Sequence, residues 1–133
     1  YITKSPKAFL HNTDKIKSKT KYLIVCEGII DALALDCVAI TSNEASQDQI
    51  DYINQFRGEV IVCPDRDKAG EKLIKQAQEN GWSVSFPMWE DDIKDAADAI
   101  QRYGKLYTLH TIVGSAEFNE LKIKLGAKKW FNF

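Results

Sequence analysis

Three groups of acidic residues in this chain have the types and spacing to hold a divalent cation. Glu27 is followed directly by Gly28, Asp65 and Asp67 flank Arg66, and Asp91, Asp92, Asp95 and Asp98 follow further along. Carboxylates that converge on one point repel each other, and a divalent cation between them removes that repulsion. Mg²⁺ takes hard oxygen ligands in octahedral geometry, with one or two carboxylates completed by water and substrate phosphates. Asp65 and Asp67 suit this, because residues i and i+2 of an extended stretch point the same way. Gly28 lets backbone pass close to a ligand, and amides at a helix start just after it could face a phosphate. Asp31 is placed to pair with a nearby Lys or Arg as a structural group. Glu90-Asp91-Asp92 suits a solvated loop running into a helix N-terminus, where the helix dipole favours negative charge. Taken singly, each group has a bland reading; a lone Asp-x-Asp is most often a turn of solvated acids.

Their meaning depends on the elements that position them. Tyr22-Leu23-Ile24-Val25-Cys26 is an apolar run of the kind buried on both faces of a parallel sheet. Glu27-Gly28 breaks it, and residues 29–35 read as a buried helix. Val38-Ala39-Ile40-Thr41 reads as a second strand. Ser46 is placed to cap a helix through Phe56, with Ile50, Ile53 and Phe56 on one face. Val60-Ile61-Val62-Cys63 is a third buried strand, stopped by Pro64, which has no N–H to donate. Residues 68–79 form a helix ended by Asn80-Gly81. Trp82 to Phe86 alternates as a fourth strand, and residues 95–103 are helical up to Gly104. The expected fold is α/β: a mainly parallel four-stranded sheet with helices on both faces. Ligands of such sheets bind beyond the carboxyl ends of the strands, and all three acidic groups fall at such ends. In the tail a single helix is expected around residues 117–125.

Charge is uneven along the chain. Residues 1–21 carry a net +5, residues 22–103 a net −9 and residues 104–133 a net +3. An acidic centre between basic flanks suits a metal site with surfaces facing nucleic acid, although charge alone is equally at home on solvated surfaces. Cys26, Cys37 and Cys63 form no Cys-x-x-Cys pair, which argues against a zinc site and for reduced core thiols. No apolar run approaches the roughly 18 residues of a membrane span, and the lysine-rich opening lacks the apolar stretch of a signal peptide. A start at Tyr1 instead of Met points to an excised piece or a processed product.

Taken in order, these elements resemble the Toprim domain shared by DnaG-like primases, topoisomerases, recombination mediators and some nucleases. Its first motif is an apolar strand ending in Glu-Gly, as in Leu23 to Gly28; primases extend it to Glu-Gly-x-x-Asp, matching Glu27 through Asp31. The second is a strand followed by Asp-x-Asp, then often a basic residue and Ala-Gly, as in Asp65-Arg66-Asp67-Lys68-Ala69-Gly70. Lys94-Asp95-Ala96-Ala97-Asp98 resembles a Lys-Asp-Pro-Asn-Asp stretch of bacterial and phage-type primases, with alanines replacing Pro and Asn. Ser5-Pro6 is similar to a segment preceding the Toprim domain in primase cores.

The resemblance implies a Toprim-like (Rossmann-like) domain over residues 21–104. Residues 1–20 would be the basic end of an N-terminal primase-core subdomain, and residues 105–133 a basic, helical extension. It implies Glu27 as general acid/base or metal ligand, and Asp65 and Asp67 as ligands of Mg²⁺ or Mn²⁺, with Asp95 and Asp98 as further candidates. Gly28 and Lys68 would face phosphates, and Asp31 and Gly70 would support the site. The implied activity is metal-dependent synthesis of RNA primers from ribonucleoside triphosphates on a single-stranded DNA template. It would take place in the cytoplasm of a bacterial or phage-infected cell, with a replicative helicase met through parts outside this chain. A Toprim nuclease, or a metal- and DNA-binding Toprim module without turnover, uses the same residues.

Overall fold

The computed structural model describes residues 21–66 and 70–131. The lead-in 1–20, Asp67 and Lys68 lie outside the described residues. The chain runs β1 (Tyr22–Cys26), α1 (Ile29–Leu35), β2 (Val38–Ala39), α2 (Gln47–Ile53), β3 (Glu59–Cys63), α3 (Glu71–Asn80), β4 (Ser83–Ser85), α4 (Ala96–Tyr103), α5 (Lys105–Gly114), β5 (Ala116–Glu117) and α6 (Glu120–Trp130).

The strands form one sheet in the order β2-β1-β3-β4-β5. The pairings β1 with β2, β1 with β3 and β3 with β4 are parallel, whereas β4 with β5 is antiparallel. Period-two alternation splits the apolar runs between two cores. Leu23, Val25, Val60 and Val62 pack on one face with Ile50, Ile53 and Leu73 of α2 and α3. Ile24, Cys26, Ile61 and Cys63 pack on the other with Ala32, Ala99 and Ile112 of α1, α4 and α5. The doubly covered parallel sheet is the expected fold.

The differences have local causes. Thr41 does not extend β2: it takes a left-handed φ of 63°, and its N–H donates to the Glu27 carbonyl at 2.9 Å. Ser46 caps α2 with a full capping box through Gln49, but α2 ends at Ile53, and Phe56 packs on the core from the turn that follows. A fifth strand joins the sheet, and the tail holds two helices instead of one. Gly104, with φ 87°, ends α4 and α5 starts at the next residue, so no polar segment marks the junction. Asn119 caps α6 by accepting from the Lys122 N–H. Ile123 of α6 enters the first core and Trp130 the second, so this helix reaches from one face of the sheet to the other.

Gly58 is required by space. A Cβ there would lie 2.4 Å from the Lys21 carbonyl oxygen and 2.7 Å from the Phe56 ring. The Lys21 carbonyl also accepts from Glu59 N–H at 3.0 Å, so backbone would have to move. Gly58→Ala is expected to lower stability by on the order of 1–3 kcal/mol, the usual cost of overpacking, as read from urea unfolding. Wild-type stability in this variant would refute the tight packing of β1 and β3 at this end.

Candidate functional site at the carboxyl edge of the sheet

Strand register builds the site. β1 and β3 pair from Tyr22↔Glu59 to Cys26↔Cys63, so the residues that follow, Glu27 and Pro64-Asp65, emerge side by side. Glu27 is buried (8% exposed), and its Oε2 accepts from the Asp65 N–H at 2.7 Å. The cap of α1 is Gly28, and Glu27 turns this oxygen to the second acidic motif. Gly70 closes the pocket from the α3 side: a Cβ there would sit 3.3 Å from Glu27 Oε2 and 3.1 Å from the Asp65 carbonyl oxygen. A Cβ at Gly28 would sit 3.3 Å from Asp31 Oδ2. Both glycines therefore give carboxylates room.

Asp31 is buried on α1, and its Oδ1 accepts from the Ala97 N–H at 2.8 Å. Among the described residues its anchor is thus the start of α4, in place of the basic side chain expected from the sequence. Burial pushes the Asp31 carboxyl up; the Ala97 amide opposes this, nearby Asp95 adds to it, a hydrogen bond with the Asp65 side chain opposes it, and Asp98 adds to it. Asp95 caps α4 by accepting from the Asp98 N–H at 2.8 Å. Asp98 Oδ2 in turn accepts from the Lys94 N–H at 3.2 Å. Asp95 and Asp98 therefore hold the helix start together and load negative charge beside Asp31. Asp92, with Glu90, instead faces Arg102 at 2.6 and 2.7 Å.

The edge thus gathers Glu27, Asp31, Asp65, Asp95 and Asp98. The donors are all carboxylate oxygens, the hard set that Mg²⁺ and Mn²⁺ take, and the fit rests on that chemistry and on the mutual repulsion of the acids. Among the described residues no three His, Cys, Asp or Glu side chains are close enough to hold a metal by themselves; Asp67 and Lys68 lie outside them.

Asp31 provides a direct check on the cost of holding negative charge at this edge, where burial weighs most and the neighbouring Asp95 and Asp98 add to it. Its carboxyl titrates higher in the folded chain than in the unfolded one. The stability it contributes is complete below the unfolded value and is lost as pH rises through the folded one. Asp31→Asn keeps an oxygen for the Ala97 amide and removes the charge. In EDTA the variant is expected to melt above wild type at pH 7, with the gain gone below about pH 4. A gain that does not change with pH would rule out charge as its cause.

Arg66 was not singled out by sequence reasoning, yet it is 8% exposed. Between two acids it reads as a surface residue. The only signal was alternation, which turns it away from the side shared by Asp65 and Asp67. The three cysteines are buried and free, with Cys26 Sγ 3.3 Å from Cys37 Sγ, as expected of core thiols.

The architecture is a doubly wound, mainly parallel sheet with an acidic carboxyl edge, and in open sheets of this class the ligand crevice lies beyond the carboxyl ends of the strands. The family described as Toprim-like matches residues 24–100, more than half of the chain, and the chain belongs to that family. It is 32% identical over 66 residues to a DNA primase of Campylobacter jejuni, covering 45% of this chain and 11% of that protein. The RNA polymerase domain of Mycobacterium tuberculosis primase DnaG superposes with a TM-score of 0.72 at 20% identity, over 91% of this chain and 46% of that one. A DnaG primase catalytic domain bound to single-stranded DNA superposes with a TM-score of 0.60 at 22% identity, over 79% and 36%. The chain spans about a tenth of the matched Campylobacter protein and under half of either solved structure. Among the described residues no helix is long and apolar enough to cross a membrane.

Proposed function

We propose that this chain is the Toprim part of a DnaG-type DNA primase core, in which Glu27, Asp65 and Asp67 hold Mg²⁺ or Mn²⁺. The observation that carries this reading is the 2.7 Å bond from the Asp65 N–H to Glu27 Oε2, which joins the two acidic motifs at the carboxyl edge. The reaction is transfer of a nucleotide from a ribonucleoside triphosphate to a primer 3′-hydroxyl on single-stranded DNA: the 3′-oxygen bonds to the α-phosphorus, the α–β anhydride breaks and pyrophosphate leaves. A metal held by these carboxylates would neutralise charge at the triphosphate and lower the pKa of the attacking hydroxyl. Glu27 is placed to take or hold a proton at that hydroxyl, and its tie to Asp65 fixes the distance between the motifs. Gly28 would let backbone approach a phosphate, and Lys68 is the candidate cation for it. Asp95 and Asp98 order the α4 start and reinforce the negative field that draws the cation in. The domain reading follows: residues 1–20 as the basic end of the preceding subdomain, 21–104 as the Toprim unit and 105–133 as a basic extension. A helicase would be met by other parts of the polypeptide.

The likeness of the fold to a primase domain seen with single-stranded DNA supports the choice of template. The test is incorporation of labelled ribonucleotides on single-stranded DNA by the parent enzyme, run beside cleavage of the same DNA. Incorporation that depends on Mg²⁺ or Mn²⁺ is expected. Cleavage without incorporation would make this a nuclease, and neither activity would make it a non-catalytic module.

A further inference from the structure

Arg66 sits in the middle of the Asp-Arg-Asp motif, but its side chain leaves the acidic edge and runs into the second core. Its guanidinium lies 4.3 Å from the centroid of the Trp130 ring, within cation–π range. Nη1 donates to the Glu90 carbonyl at 3.1 Å and Nη2 to the Trp89 carbonyl at 3.5 Å, while the Arg66 N–H donates to the Lys94 carbonyl at 3.0 Å. Trp130 is itself fixed. It is 4% exposed and packs at tilted angles against Phe86 at 5.9 Å and Trp89 at 6.0 Å. One turn earlier Gly126 lets α6 approach closely, since a Cβ there would lie 2.6 Å from the Phe86 ring.

We propose that Arg66 and Trp130 form a clamp through which helix α6 sets the position of Asp65, and thereby the metal affinity of the site. This rests on the reading that Asp65 holds the cation. Arg66 is a positioning residue here: it touches neither metal nor substrate. Four contacts tie its backbone and its fork to α6 and to the segment between β4 and α4. The Arg66 backbone, held by its N–H to the Lys94 carbonyl, continues directly from Asp65, so loosening the clamp frees the backbone that carries that carboxylate. The planar fork matters, because Lys carries one compact ammonium and cannot lie flat on the ring while two separate nitrogens each donate to a carbonyl. Metal sites are sensitive at this remove: groups that orient ligands from outside commonly change affinity 10–100-fold.

The test is titration of the 133-residue chain with Mn²⁺, read by calorimetry, with far-ultraviolet circular dichroism and a melting curve on each variant. Arg66→Lys and Trp130→Leu are expected to bind Mn²⁺ about tenfold or more weakly than wild type while still unfolding cooperatively. Trp130→Phe keeps an aromatic face and is expected to restore binding to near the wild-type value. If Arg66→Lys and Trp130→Leu melt lower yet bind as wild type does, the contact is only structural and the clamp is overturned. Should Trp130→Leu fail to fold, Arg66→Lys decides by the same criterion. Asp65→Asn separates the two levels of the argument. If it binds Mn²⁺ as wild type does, or if wild type binds none, the metal reading fails and takes the clamp with it. If Asp65→Asn loses binding while both clamp variants retain it, the metal reading stands and the clamp alone falls.

Discussion

Glu27→Gln is expected to slow nucleotidyl transfer by the parent enzyme by a factor on the order of 10²–10⁴, the usual contribution of a positioned acid or base, with little change in fold. Glutamine keeps the volume of a buried side chain and keeps an oxygen for the Asp65 N–H, which Glu27 Oε2 accepts at 2.7 Å. It loses the charge, the proton-transfer capacity and most of the affinity for a cation. Glu27→Ala is different: it leaves the Asp65 amide without its acceptor, at a cost of about 1–3 kcal/mol, and confuses a chemical loss with a structural one. Primer synthesis measured beside a melting curve decides. Retained activity in Glu27→Gln, or a variant that does not fold, would remove Glu27 from the chemistry.

The second large effect concerns the cation. Anything that binds only the native state stabilises it by mass action, by about 4 kcal/mol at a free concentration a thousandfold above Kd. Millimolar Mn²⁺ is therefore expected to raise the melting temperature of the wild-type chain and to leave that of Asp65→Asn/Asp67→Asn nearly unmoved. The double variant should also melt higher than wild type in EDTA, because Asp65 no longer adds its charge to an edge that already holds Glu27, Asp31, Asp95 and Asp98. Equal shifts with Mn²⁺ in both proteins would place the cation elsewhere.

Much of this architecture was legible in advance because Leu23–Cys26 of β1 and Val60–Cys63 of β3 are apolar runs followed within two residues by acids. An apolar strand cannot hide its own end, and a parallel pair with aligned ends must bring Glu27 and Asp65 together. The N-cap at Ser46 and the glycine stop at Gly81 are local signals that tertiary context did not override. The tail was less legible. α5 follows α4 with only Gly104 between them, and β5 is two residues long, too short for any periodicity to show. A buried carboxylate usually has a basic partner, which is why one is expected for Asp31; among the described residues a backbone amide at the start of α4 holds it. Thr41 looked like a strand residue by its β-branching, yet the turn that returns its N–H to Glu27 forces a positive φ. Arg66 was hidden for a related reason. Its partner Trp130 is far away in sequence, and nothing local announces a cation that will be buried against an indole.

Among the described residues the sheet ends on one side at Val38–Ala39 and on the other at Ala116–Glu117, each a strand of two residues. Unpaired strand margins are where proteins recruit stray extended segments, and brevity there is a common safeguard against edge-to-edge aggregation. With so little margin to template on, these two edges give an added strand of the kind used in β-augmentation few ladder bonds to make. Loop backbone and side chains at the carboxyl edge are the larger surface the described residues offer a partner.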